Sequence, residues 1–198
     1  MVASLTRSAG TAALVAASVW LIGLVGFLVM GAGVLSSWQT TYTLLTAGGL
    51  VAGLATLVAL NGLLSRAADG AAGWRWAALG LGALGVVVIG LVLWAYPLWT
   101  ALLSAASVIV VYRLRGVALV PKLGPWAFVA AWPLSFGLFV LLDAIKLGQV
   151  DEYGDYPMAG GIGIAVWCGL LALGLAVYGR WLRQQEAAEG PHAPPALI

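Results

Sequence analysis

Residues 74–112, WRWAALGLGALGVVVIGLVLWAYPLWTALLSAASVIVVY, decide how many times this chain crosses a bilayer. The stretch is 39 residues long, whereas a membrane helix needs about 20. One ordinary span is too short for it and two barely fit. Tyr96 and Pro97 resolve the choice, because proline is tolerated in the first turn of a helix, where its missing N–H would have no partner anyway. The reading is two helices, 74–94 and 97–112, joined by a minimal turn at Ala95 and Tyr96.

The flanking charges test this division independently. Arg66 and Arg75 precede the stretch, and Arg113, Arg115 and Lys122 follow it. Two spans return both basic clusters to one side, as the positive-inside rule asks, and one span would separate them. Working outward, the same logic gives spans at about 11–35, 41–64, 125–145 and 158–182. Eight of the nine basic residues then face the cytoplasm, Lys146 being the exception. Arg7 ahead of an apolar run resembles a signal peptide, but the run is longer than a typical h-region and is read as a retained first span.

The fold class expected is therefore all-α: a polytopic six-transmembrane-helix bundle built from three helical hairpins, with both termini cytoplasmic. Residues 1–183 form a single transmembrane domain and 184–198 a mobile cytoplasmic tail. Composition agrees, with 63% hydrophobic and 8% charged residues against about a quarter charged in soluble domains. The net charge of +2 is spread over short loops and offers no face for nucleic acid. The natural partner is the lipid bilayer of the cell's inner (plasma) membrane.

Two hairpins share a pattern. Trp76-Ala77 and Trp126-Ala127 open the second and third, and Tyr96-Pro97 and Tyr156-Pro157 open their returning helices. The intervals from tryptophan to proline are 21 and 31 residues, as though the third carried an insertion at its acidic loop, GQVDEYGDYP. The first hairpin lacks the Tyr-Pro pair. A threefold repeat and a chance match in Ala/Gly/Leu-rich sequence both remain open.

Three tandem hairpins, glycine-rich first helices, an outer-turn proline (GLVLWAYPLWTALLSAASVIVVYRLRG, 90–116) and the chain length together resemble the HdeD-like acid-resistance membrane protein family. The resemblance implies a small integral membrane protein tied to stress or acid tolerance and carries over no catalytic residue.

Few residues offer chemistry. Asp143 and Lys146 stand at the outer end of the fifth span, spaced to form an i, i+3 ion pair at the interface or to act as a gate or substrate contact. Pro133, inside the same span, frees the carbonyl of Val129. With Trp132 and Ser135 beside it, and Asn61 in the second span, it forms a candidate kink or ligand site. Ser135 is close enough in sequence to satisfy the freed carbonyl. Asn61, Ser104 and Ser107 are also explained by interhelical hydrogen bonds. Asp151, Glu152 and Asp155 make an outer acidic loop.

Of ten tryptophans, Trp38, Trp94 and Trp99 are read as an outer aromatic belt and Trp74, Trp76, Trp126 and Trp181 as an inner one. Trp20, Trp132 and Trp167 lie deeper. Small residues four apart, such as Gly49 and Gly53, Ala78 and Gly82, and Gly161, Ala165 and Gly169, suit close helix packing or a homo-oligomer or partner-subunit face.

With one cysteine, one histidine in the tail and no HExxH, GxSxG or phosphate loop, no catalytic residue, metal site or cofactor is expected. The functional expectation is a noncatalytic membrane module, either stress-related or a structural subunit of an assembly. The alternative is a small-solute carrier or substrate-binding transporter component, docking through Ala12, Ala13, Ala16 and Ala17 of the first span.

Overall fold

In the computed structural model of the chain, residues 2–31, 38–66, 72–91, 95–115, 117, 121–145 and 157–189 are described. They form six helices: α1 (Val2–Gly31), α2 (Trp38–Leu64), α3 (Ala72–Leu91), α4 (Tyr96–Leu114), α5 (Leu123–Ala144) and α6 (Pro157–Glu189). No strand occurs among the described residues. All six are long and apolar enough to cross a membrane.

The 39-residue stretch is two helices, as its length and proline require. Pro97 sits in the first turn of α4 after Ala95, whose carbonyl accepts from the N–H groups of Leu98 (2.9 Å) and Trp99 (3.2 Å). The Thr100 hydroxyl donates to the Tyr96 carbonyl at 2.5 Å and tightens the same turn. At the other end of the chain, α6 runs on to Glu189, so residues 184–189 are helical and not part of the tail expected from 184.

Each helix packs against its neighbour in sequence, and α1 closes on α6 to complete a ring. Within it, α2 also touches α4 and α6 across the interior. The most extensive interface joins α1 to α6, the first helix to the last. Small residues explain it. Ala13, Ala16 and Ala17 of α1 and Ala165 and Ala172 of α6 are all buried, and Gly10 and Gly179 bring the two backbones together. Lipid tails are as apolar as the side chains, so close approach and dispersion must hold such helices where hydrophobic burial cannot. The alanine face expected to dock a partner is thus filled within the chain.

The other small-residue pairs also pack internally. Gly49 and Gly53 of α2 lie against Ile89 and Val86 of α3, Gly82 lies against Leu57 and Ala106, and Gly169 lies against Leu24. The outward surface is greasy: Ile22, Leu44 and Leu91 are 70%, 67% and 75% exposed. Exposed apolar side chains on six helices of spanning length suit lipid as their solvent.

Contacts along the helices gather the basic residues at one end of the ring. The start of α1 meets the ends of α2 and α6, through Ala9 against Gly62 and Gly10 against Arg183. The start of α5 meets the end of α6 through Gly124 against Tyr178, and the end of α2 meets the start of α3 through Asn61 and Arg75.

Candidate functional site

At the centre of the bundle three tryptophans from three helices meet: Trp20 of α1, Trp99 of α4 and Trp167 of α6. Trp167 presents its edge to the other two, at centroid distances of 5.0 Å to Trp20 and 5.2 Å to Trp99, both near perpendicular at 88°. Trp20 and Trp99 lie nearly parallel at 6.3 Å. These are the favoured geometries for aromatic quadrupoles.

A buried indole must also place its N–H. Trp20 Nε1 donates to Thr56 Oγ1 (3.1 Å), and that hydroxyl in turn donates a hydrogen bond to the Ala52 carbonyl (2.7 Å). Trp167 Nε1 donates to Ser104 Oγ (2.8 Å). The polar groups at the centre therefore satisfy one another and tie α1 to α2 and α4 to α6.

Trp99 corrects the aromatic-belt reading, since at 1% exposure it belongs to this core. From sequence alone either face of α4 is equally apolar. Trp181 is likewise buried, whereas Trp74, Trp76 and Trp126 are exposed as a belt requires. Trp38 and Trp94 fall outside the residues whose side chains are described. Thr56 is not among the polar residues that the sequence singles out for interhelical hydrogen bonds. The signal was available: a deep tryptophan in the first span demands an acceptor on a facing helix.

The candidate ligand set does not assemble as one site. Trp132 is half-buried, stacks on Phe136 at 5.1 Å and donates Nε1 to the Pro97 carbonyl at 3.3 Å, which ties α5 to α4. Pro133 faces outward, and α5 continues through it to Ala144. The Ser135 hydroxyl does not serve the carbonyl that Pro133 frees. It donates to Gly163 on α6 at 2.7 Å, because Gly163 lets the two backbones come close enough for a short hydroxyl to bridge them.

Asn61 lies at the basic end, where its Oδ1 accepts from Arg75 Nε (2.9 Å) and Nη2 (2.7 Å). Replacing Asn61 with alanine is expected to cost about 1 kcal/mol, within the range for polar contacts between membrane helices. The loss is measurable as a lower unfolding free energy in a denaturing-detergent titration. Ser107 bonds within its own helix, to the Leu103 carbonyl at 2.9 Å.

Asp143 is exposed in the last turn of α5. Its expected partner Lys146, and the acidic loop residues Asp151, Glu152 and Asp155, lie outside the described residues. Among the described residues no three of His, Cys, Asp and Glu gather as metal ligands. An apolar crevice of about 60 Å³ between α1 and α2, beside Trp20 and Phe27, has room for little more than water. No family model matches the chain, and no curated protein or solved structure matches it significantly.

Proposed function

We propose that this chain is a noncatalytic module of the plasma membrane: three hairpins closed into a ring, both termini cytoplasmic, serving stress or acid tolerance as the HdeD-like resemblance implies. The observation that favours a module over a carrier is the centre of the bundle. Where a carrier would hold its solute, Trp20, Trp99 and Trp167 fill the space and their N–H groups on α1 and α6 are spent on Thr56 and Ser104. The burial of Ala13, Ala16 and Ala17 removes the face on which the carrier alternative relied.

The orientation is supported by the gathering of basic residues at one end of the ring, which the positive-inside rule assigns to the cytoplasm. A single cysteine substituted at Glu152 is expected to react with a membrane-impermeant maleimide added to intact cells. Cys168 is fully buried and supplies little background. Failure to label from outside overturns cytoplasmic termini. For the physiological role, deletion is expected to lower survival in acid, and a vitamin or coupling subunit tightly held after purification from native membranes overturns the module reading in favour of a carrier.

A further inference from the structure

A second feature lies at the basic end of the ring. A cleft of about 410 Å³ opens between the end of α4, the start of α5 and α6, and Arg115, Lys122, Trp126 and Tyr178 line it beside Val111 and Val129. Three independent features of this cleft favour an anion. Arg115 and Lys122 are exposed at its mouth, and no carboxylate pairs with either among the described residues. The guanidinium of Arg115 is held over the Tyr112 ring at 5.3 Å.

The α5 helix also begins there, with Lys122 at its N-cap making no side-chain cap. Its first backbone N–H groups, those of Lys122, Leu123 and Gly124, have no partner inside the helix, and the helix dipole adds positive potential. Beneath that first turn lies Tyr178. Gly124 leaves room for its ring, which stacks on Phe128 at 5.4 Å. The Tyr178 residue is 0% exposed, yet its hydroxyl finds no hydrogen-bond partner among the described residues. A buried hydroxyl left unpaired is costly, and a ligand oxygen at this cleft would satisfy it.

The walls specify the rest of the ligand. Val111 and Val129 are apolar, and Val129 is 40% exposed on the outer surface of the bundle, where acyl chains run. Trp126, 72% exposed, marks the depth of the headgroup region. We infer that the cleft between α4, α5 and α6 is a binding site for an acidic phospholipid, with the phosphodiester at Arg115, Lys122, the α5 N-terminus and Tyr178 and an acyl chain along Val111 and Val129. Basic pockets between membrane helices recognise anionic headgroups by this combination of charge and apolar wall. The assignment rests on the bundle being embedded in a membrane, which the Glu152 labelling experiment tests separately.

The test is native mass spectrometry of the full chain purified in detergent and titrated with phosphatidylglycerol, phosphatidylcholine or glycerol 3-phosphate. One phosphatidylglycerol is expected to bind at least tenfold more tightly than phosphatidylcholine. Arg115→Gln and Lys122→Gln are each expected to weaken it about fivefold, Lys122→Arg to keep it, and Tyr178→Phe to weaken it a few-fold. Arg115 and Lys122 are surface residues, so their variants remain folded, and unchanged protection of Cys168 confirms this. Equal affinity for the two lipids, or indifference to both charge substitutions, overturns the site. Glycerol 3-phosphate displacing the lipid at comparable concentration overturns the lipid as its occupant.

Discussion

Replacing Trp167 with alanine is expected to unfold the bundle or bring it to the edge of unfolding. The indole is fully buried, contacts Trp20 and Trp99 edge-on, and holds Ser104 through its N–H. Truncating a large buried aromatic costs about 3 to 5 kcal/mol, a large share of the roughly 5 to 15 kcal/mol by which folded proteins are stable. Ser104, at 5% exposure, is also left without its indole partner. Trp167→Phe keeps an aromatic edge but loses the hydrogen bond and the volume of one ring of the indole, so its stability is expected to fall between those of the parent and the alanine variant.

The chain supplies its own reporter. Cys168 neighbours Trp167 in sequence and is 0% exposed, so its rate of maleimide labelling on heating measures opening of the core. Trp167→Ala is expected to expose Cys168 at a much lower temperature than the parent, and Trp167→Phe at an intermediate one. An alanine variant that protects Cys168 as well as the parent would show that the tryptophan cluster does not hold the helices together.

The second large effect is expected at Gly62, where α2 crosses α1. A Cβ placed there would overlap the Cβ of Ala9. Alanine in a helix is favoured over glycine by about 1 kcal/mol, but overpacking of this kind costs about 1 to 3 kcal/mol. Gly62→Ala is therefore expected to destabilise modestly and Gly62→Val severely. Moving the methyl group from one helix to the other, in the double variant Ala9→Gly with Gly62→Ala, is expected to restore most of the loss, since the pair then occupies the same space. Gly80 is the control, because a Cβ there meets nothing within 4 Å, and Gly80→Ala is expected to be neutral or slightly stabilising. A double variant no better than Gly62→Ala would mean that the α1–α2 contact is not what glycine protects.

Glycine and tryptophan also show how differently the two levels of structure were legible. Pro97 marked the start of α4 because a proline's effect is local: it acts on its own N–H and on the turn before it. The small-residue pairs marked close packing for a similar reason, but not their partners. The four residues of the candidate kink or ligand site, Pro133, Trp132, Ser135 and Asn61, take different partners. Ser135 reaches Gly163 on α6, while Asn61 serves Arg75 at the basic end. Tyr178 carried no sequence signal at all, and only its place beneath the first turn of α5, with its hydroxyl unpaired, draws attention to it.

The sequence by itself determined that six helices are long and apolar enough to span a bilayer, because bilayer thickness, apolar run length and proline act along the chain. Only the tertiary structure decided which face of each helix is the inside. In water, polar and apolar residues alternate with the helical period and betray the buried face. In lipid that contrast is lost: Leu98 and Trp99 are adjacent and both apolar, yet one is 53% exposed and the other 1%. What separates them is shape and hydrogen bonding against neighbouring helices, and neither exists until the helices meet.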